Sequence, residues 1–97
     1  MEKLELLVSK SINIIEEEYD KVRLDKNASE DWVSFLEILL KRINEDKDDG
    51  DTPLGIWTSI VAMLTAEINA YKDDEDIVNR IKNLYFKIAK TADSLGL

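Results

Sequence analysis

Five carboxylates crowd into eight residues, Asn44-Glu45-Asp46-Lys47-Asp48-Asp49-Gly50-Asp51, more than in any stretch of that length elsewhere in the chain. A calcium loop of the EF-hand kind places oxygen ligands at positions 1, 3 and 5, glycine at 6 and glutamate at 12. With Gly50 in the glycine place, Glu45, Lys47 and Asp49 take the three ligand places and Ile56 takes the last. The lysine and the isoleucine break the pattern, so the run reads as a solvated acidic turn. Histidine and cysteine are both absent. Their absence removes the usual general base, the usual zinc ligands, any disulfide and the familiar nucleophile dyads and triads. The remaining acids fall in caps, turns and polar faces, where nothing poises a carboxylate for proton transfer. The sequence therefore predicts a protein that is not an enzyme and takes no metal or cofactor.

What remains is recognition. The net charge is −8, unevenly placed. Residues 77–97 hold Arg80, Lys82, Lys87 and Lys90 against the single acid Asp93, a net of +3, which leaves −11 on the first 76 residues. The acidic majority argues against nucleic-acid binding by phosphate neutralisation. The basic end has a plain explanation, since cations favour the C-terminal part of a helix. It also has a functional one, a face for an acidic partner or an anionic membrane surface. Phe86 sharpens the second, because it sits about 60° beyond the apolar stripe of its segment, close in sequence to Lys82, Lys87 and Lys90. An aromatic inside a basic surface is the kind of residue that anchors an interface; the alternative is partial burial against a neighbouring helix. Trp32 and Trp57 lie on their stripes and are expected in the core.

These residues must be held by helices, because apolar side chains recur at three and four throughout and nothing alternates with period two. Leu4, Leu7, Val8, Ser11, Ile12, Ile15, Tyr19 and Val22 define a helix over about 3–23, followed by a turn at Asp25-Lys26-Asn27-Ala28. Ser29 is a capping residue for a second helix over about 29–43, whose stripe is Trp32, Val33, Leu36, Leu39, Leu40 and Ile43. Thr52-Pro53 opens a third, over about 53–71, with threonine as cap and proline in the first turn, where its missing N–H costs nothing. Its apolar residues cover about half the circumference, so it is expected to be the most buried of the four, with Gly55 permitting close packing. Asp73 or Asp74 caps a fourth, over about 74–95, before Gly96. One domain of 97 residues results, all-α, an antiparallel up-down four-helix bundle with short connections. The charged start Met1-Glu2-Lys3-Leu4-Glu5 is unlike a signal peptide and no apolar run reaches membrane-spanning length, which predicts a cytoplasmic protein.

The order of these parts carries a resemblance. Ile14-Ile15-Glu16-Glu17-Glu18-Tyr19 lies in the first helix and Phe35-Leu36-Glu37-Ile38-Leu39-Leu40-Lys41-Arg42-Ile43 in the second. Thr52-Pro53-Leu54-Gly55-Ile56 begins the third after a polar connection, and Arg80-Ile81-Lys82-Asn83-Leu84-Tyr85-Phe86-Lys87-Ile88 forms the last. In size and arrangement the chain resembles the immunity proteins of pediocin-like (class IIa) bacteriocins, of the enterocin A immunity type. The resemblance implies a cytosolic bundle that protects the producing cell by acting on the bacteriocin-bound membrane receptor, the mannose phosphotransferase permease. It implies specificity in the C-terminal half, and so recognition around Lys82, Phe86, Lys87 and Lys90; contact with the membrane surface through the basic last helix is the reading of its charge. Two other readings come from the residues alone. Glu16-Glu17-Glu18 and the acidic run suit a mimic of the nucleic-acid backbone that occupies a DNA- or RNA-binding effector. A helical assembly subunit with one face paired in a dimer is the third.

Overall fold

The computed structural model describes residues 2–97 as four helices: α1 (Glu2–Val22), α2 (Glu30–Asp48), α3 (Pro53–Ala70) and α4 (Glu75–Ser94). The starts of α3 and α4 carry the side-chain caps that the sequence offers, and that of α2 does not. Thr52 Oγ1 accepts the Gly55 N–H at 3.1 Å, with Pro53 in the first turn. Of the two candidate aspartates Asp74 is the cap, its Oδ1 accepting the Ile77 N–H at 3.2 Å. Ser29 stands at the α2 cap, but its side chain accepts no hydrogen bond there; Glu30 and Asp31 supply the negative charge that suits this end. Between α1 and α2 the Asn27 N–H donates to Asp25 Oδ1 at 2.9 Å, the local bond by which aspartate mimics a backbone turn. Replacing Thr52 by alanine strands the Gly55 N–H. It should lower unfolding stability by about 1 kcal/mol, read as a lower urea midpoint at unchanged slope.

Two helices end alike. Gly50 and Gly96 both have positive φ, 75° and 76°. After α2, the Asp51 N–H donates to the Asp46 carbonyl and the Gly50 N–H to the Lys47 carbonyl; after α4, Leu97 and Gly96 donate to Ala92 and Asp93 in the same way. This paired closure satisfies carbonyls that the helix leaves open, and glycine makes it without strain. The end of α2 corrects the expectation of a helix over about 29–43, since it runs on to Asp48 through most of the acidic run. The reason is spacing. Lys41 lies 4.0 Å from Glu45 and Arg42 Nε lies 3.0 Å from Asp46 Oδ1, both four residues apart on one helix. Asp46 is accordingly buried, with Oδ2 lacking a protein partner, where the sequence suggested a solvated turn.

The helices alternate in direction. Tyr19 late in α1 donates to Glu37 of α2 at 3.1 Å, while Glu5, Val8 and Ile12 share a groove with Lys47, Asp51 and Pro53 at the far end. Glu18 and Lys21 of α1 face Arg80, Asn83 and Lys87 of α4, and Glu2, Lys3 and Leu4 lie beside Leu97. Each helix packs on its sequence neighbours, α4 closes the ring onto α1, and α1 also meets α3 across the middle. The molecule measures 39 × 27 × 24 Å. No helix among the described residues is long and apolar enough to cross a membrane.

One core runs through the bundle, built on Ile15, Trp32, Leu36, Leu39, Ile43, Ile60, Leu64, Ile77 and Ile81, all almost fully inaccessible. Trp32 packs on Phe35 with ring centroids 5.7 Å apart; Phe35 is a core residue that the apolar stripe of α2 did not include. The expectation that α3 is the most buried helix is overturned. Only Ile56, Ile60 and Leu64 are buried there, fewer than in any other helix. Trp57, Val61, Met63 and Ile68 are half-buried and Leu54 is exposed. In a ring of four helices each helix has a solvent side whatever its composition, and α3 spends apolar residues on that side. Gly55 does not admit a neighbouring helix either. The space its side chain would fill holds the Asp51 carboxylate, which accepts the Thr52 N–H at 2.8 Å.

Candidate partner-binding surface

The core line of α4 is Ile77, Ile81, Leu84 and Ile88, and at about 100° per residue Phe86 projects from the opposite side. It is 62% exposed, so the reading of partial burial against another helix gives way to that of an outward aromatic. The Lys90 ammonium lies 5.4 Å from the ring centroid, within the range of a cation–π contact. Lys82, one turn earlier, lines with Tyr85, Phe86 and Ala89 an open groove of about 430 Å³ between α3 and α4, closed on the α3 side by Thr65 and Ile68. Lys82, Phe86 and Lys90 therefore form one ridge: a large apolar ring with a cation on either side.

Lys87 belongs elsewhere. It turns toward α1 and lines a smaller polar recess with Glu18, Lys21, Arg80, Asn83 and Leu84. Arg80 is held there by Asp76, Nε to Oδ2 at 3.1 Å. Of the four sequence candidates, Lys82 and Phe86 thus line the α3-side groove and Lys87 the α1-side recess, while Lys90 is placed by its contact with the Phe86 ring. The three-and-four apolar spacing of α4 also takes in Tyr85 and predicts it in the core, but it is 41% exposed in the groove wall. Only its position at the edge of the stripe distinguishes it in the sequence.

A second groove, of about 310 Å³, flanks α3 on its other side. Phe35, Ile38, Met63 and Ala66 line it, with Asp31, Glu67 and Tyr71 at its polar end. Partial burial first, and the Asp31 carboxylate second, raise the Glu67 carboxyl above the ordinary value. The Asp31 charge, burial, Glu67 and Asp74 in that order raise the Tyr71 phenol. A raised carboxyl binds its proton more tightly folded than unfolded. Its contribution to stability is complete below the ordinary value and is lost as pH rises through the raised one. At neutral pH ionised Glu67 opposes folding. Glu67→Gln should raise stability at pH 7 by roughly 0.5 kcal/mol, a figure reduced for solvent screening, and leave it unchanged at pH 3. Thermal unfolding at the two pH values reads this, and an equal gain at both would exclude the electrostatic cause.

Among the described residues no three metal-ligating side chains gather into a site. No protein-family model matches the chain, and no curated protein or solved structure matches it.

Proposed function

We propose that the protein is a binding module without chemistry of its own, acting as an immunity protein against a pediocin-like bacteriocin. The observation that carries the binding role is Phe86, a large ring 62% exposed between two lysines. Leaving that part of the ring in water forgoes about 1–2 kcal/mol of burial, a cost that a binding surface recovers when its partner arrives. The immunity reading rests on the resemblance in size, helix order and the Thr52-Pro53 opening of α3. In this reading the ridge Lys82, Phe86 and Lys90 meets the bacteriocin-bound permease from the cytoplasmic side, and Lys87 engages a separate contact on the α1 flank. The positive end of an otherwise acidic chain steers it toward an acidic protein surface or anionic headgroups.

The test is protection. The chain is expressed in a sensitive bacterium, which is then challenged with a panel of pediocin-like bacteriocins. Survival against one or a few members, with the others still lethal, is the expected result. Uniform killing of cells that hold the folded protein would remove the immunity reading and leave the binding surface in search of another partner.

A further inference from the structure

The two grooves beside α3 are complementary to each other. Both flank the same stretch of that helix: Met63, Ala66 and Glu67 line the groove toward α2, and Thr65 and Ile68 line the groove toward α4. The α2 groove is a hollow of about 310 Å³ with apolar walls and the carboxylates Asp31 and Glu67 at its end. The α4 groove is bordered by an outward ring, Phe86, and the cations Lys82 and Lys90. Between them the solvent side of α3 has no charged residue from Pro53 to Ala66. Its exposed threonines turn their hydroxyls inward, Thr58 to the Leu54 carbonyl at 2.8 Å and Thr65 to the Val61 carbonyl at 2.9 Å. Covering that face leaves these two hydroxyls with their partners.

We infer that this face is covered by a second copy of the same chain, in a two-fold dimer whose axis runs along α3. Such an axis keeps height along the helix and exchanges left for right. It therefore lays the α4 flank of one copy over the α2 flank of the other, twice. Phe86 then enters the partner's apolar hollow, and Lys82, at the same height along α3, approaches the partner's Asp31 and Glu67. The other two-fold arrangement, with α3 crossing antiparallel, sets Lys82 and Lys90 against themselves and is disfavoured by like charge. An 18-residue helix is about 27 Å long, and a face two helices wide gives on the order of 500 Å² per copy, near the roughly 1,000 Å² total of a specific interface. The dimer and a partner at Phe86 exclude one another, so a partner at the ridge must dissociate the pair.

Sedimentation of the full chain decides. At about 100 µM and low salt the species should have twice the 11.1 kDa chain mass, and added salt should weaken it. Lys82→Glu and Glu67→Lys should each weaken the dimer about tenfold or more, and the double exchange should restore it to within about threefold. Circular dichroism confirms that every variant is folded. A monomer at that concentration overturns the inference, as does a dimer that the exchange fails to rescue. So does a monomer that instead binds phosphatidylglycerol vesicles through this face. No bacteriocin enters the experiment, so protection by a strictly monomeric chain would remove the dimer and leave the immunity reading standing.

Discussion

Trp32→Ala should lower the thermal midpoint of this protein by about 15–30 °C. Trp32 is completely inaccessible, packs on Phe35, and is the largest side chain in the single core. Truncating a buried tryptophan costs about 3–5 kcal/mol in lost transfer energy and residual cavity. Domains of this size have only about 5–15 kcal/mol in total, and each kilocalorie is worth roughly 4–8 °C. The indole brings one liability, because its Nε1–H has no hydrogen-bond partner within the protein. Trp32→Phe removes that donor along with part of the volume, so it should cost far less than the alanine variant, about 1–2 kcal/mol. Circular dichroism melts of the two variants measure this. Both variants lack the N–H, so the difference between them reports the ring volume alone, and equal losses would mean that a phenyl ring recovers none of the packing.

The same core shows what the sequence made legible and what it did not. Helix number, helix type and the starts of α3 and α4 followed from local chemistry, because a cap and an apolar stripe act within one turn. Thr52, Pro53 and Asp74 stand where their hydrogen bonds demand, and Gly50 and Gly96 close helices as their freedom at positive φ allows. The C-terminal end of α2 was misplaced because acidic residues read as a turn by composition. The pairs Lys41–Glu45 and Arg42–Asp46 hold them in helix instead, and those pairs are visible only once helix is assumed. The burial of α3 failed for a different reason. Apolar content measures how much surface a helix would like to hide, whereas its place in a ring of four fixes how much it can. Leu54 is 58% exposed for that reason alone.

The binding surface divides along the same line. That Phe86 leaves the core stripe is a property of its own helix and was readable from spacing. Which lysines share its side depends on the flanking helices. Lys82 shares the α3 groove with Phe86, Lys90 lies against the ring itself, and Lys87, only one residue from Phe86, is carried round to α1. The groove of Asp31, Glu67 and Tyr71 joins residues forty positions apart in sequence, so no local pattern announces it.

Phe86→Ala should abolish protection while leaving the fold untouched, and that separation is its value as a test. The ring is 62% exposed and makes its one aromatic-type contact with Lys90, so its removal should change unfolding stability by no more than about 0.5 kcal/mol. If the ridge meets the permease complex, the same truncation removes a central aromatic anchor worth about 2 kcal/mol or more, a loss of roughly thirtyfold in affinity. Cells expressing the variant at the wild-type level should then be killed by bacteriocin concentrations that the parent survives. Lys87→Glu asks a second question, because Lys87 lies in the separate recess beside Lys21 and Arg80. Loss of protection there as well would extend the contact across α4 to the α1 flank. Retention there with loss at Phe86 would confine it to the α3 side. Full protection by both variants would eliminate the fourth helix as the recognition element, since neither the exposed ring nor the charge beside it would then matter to the partner.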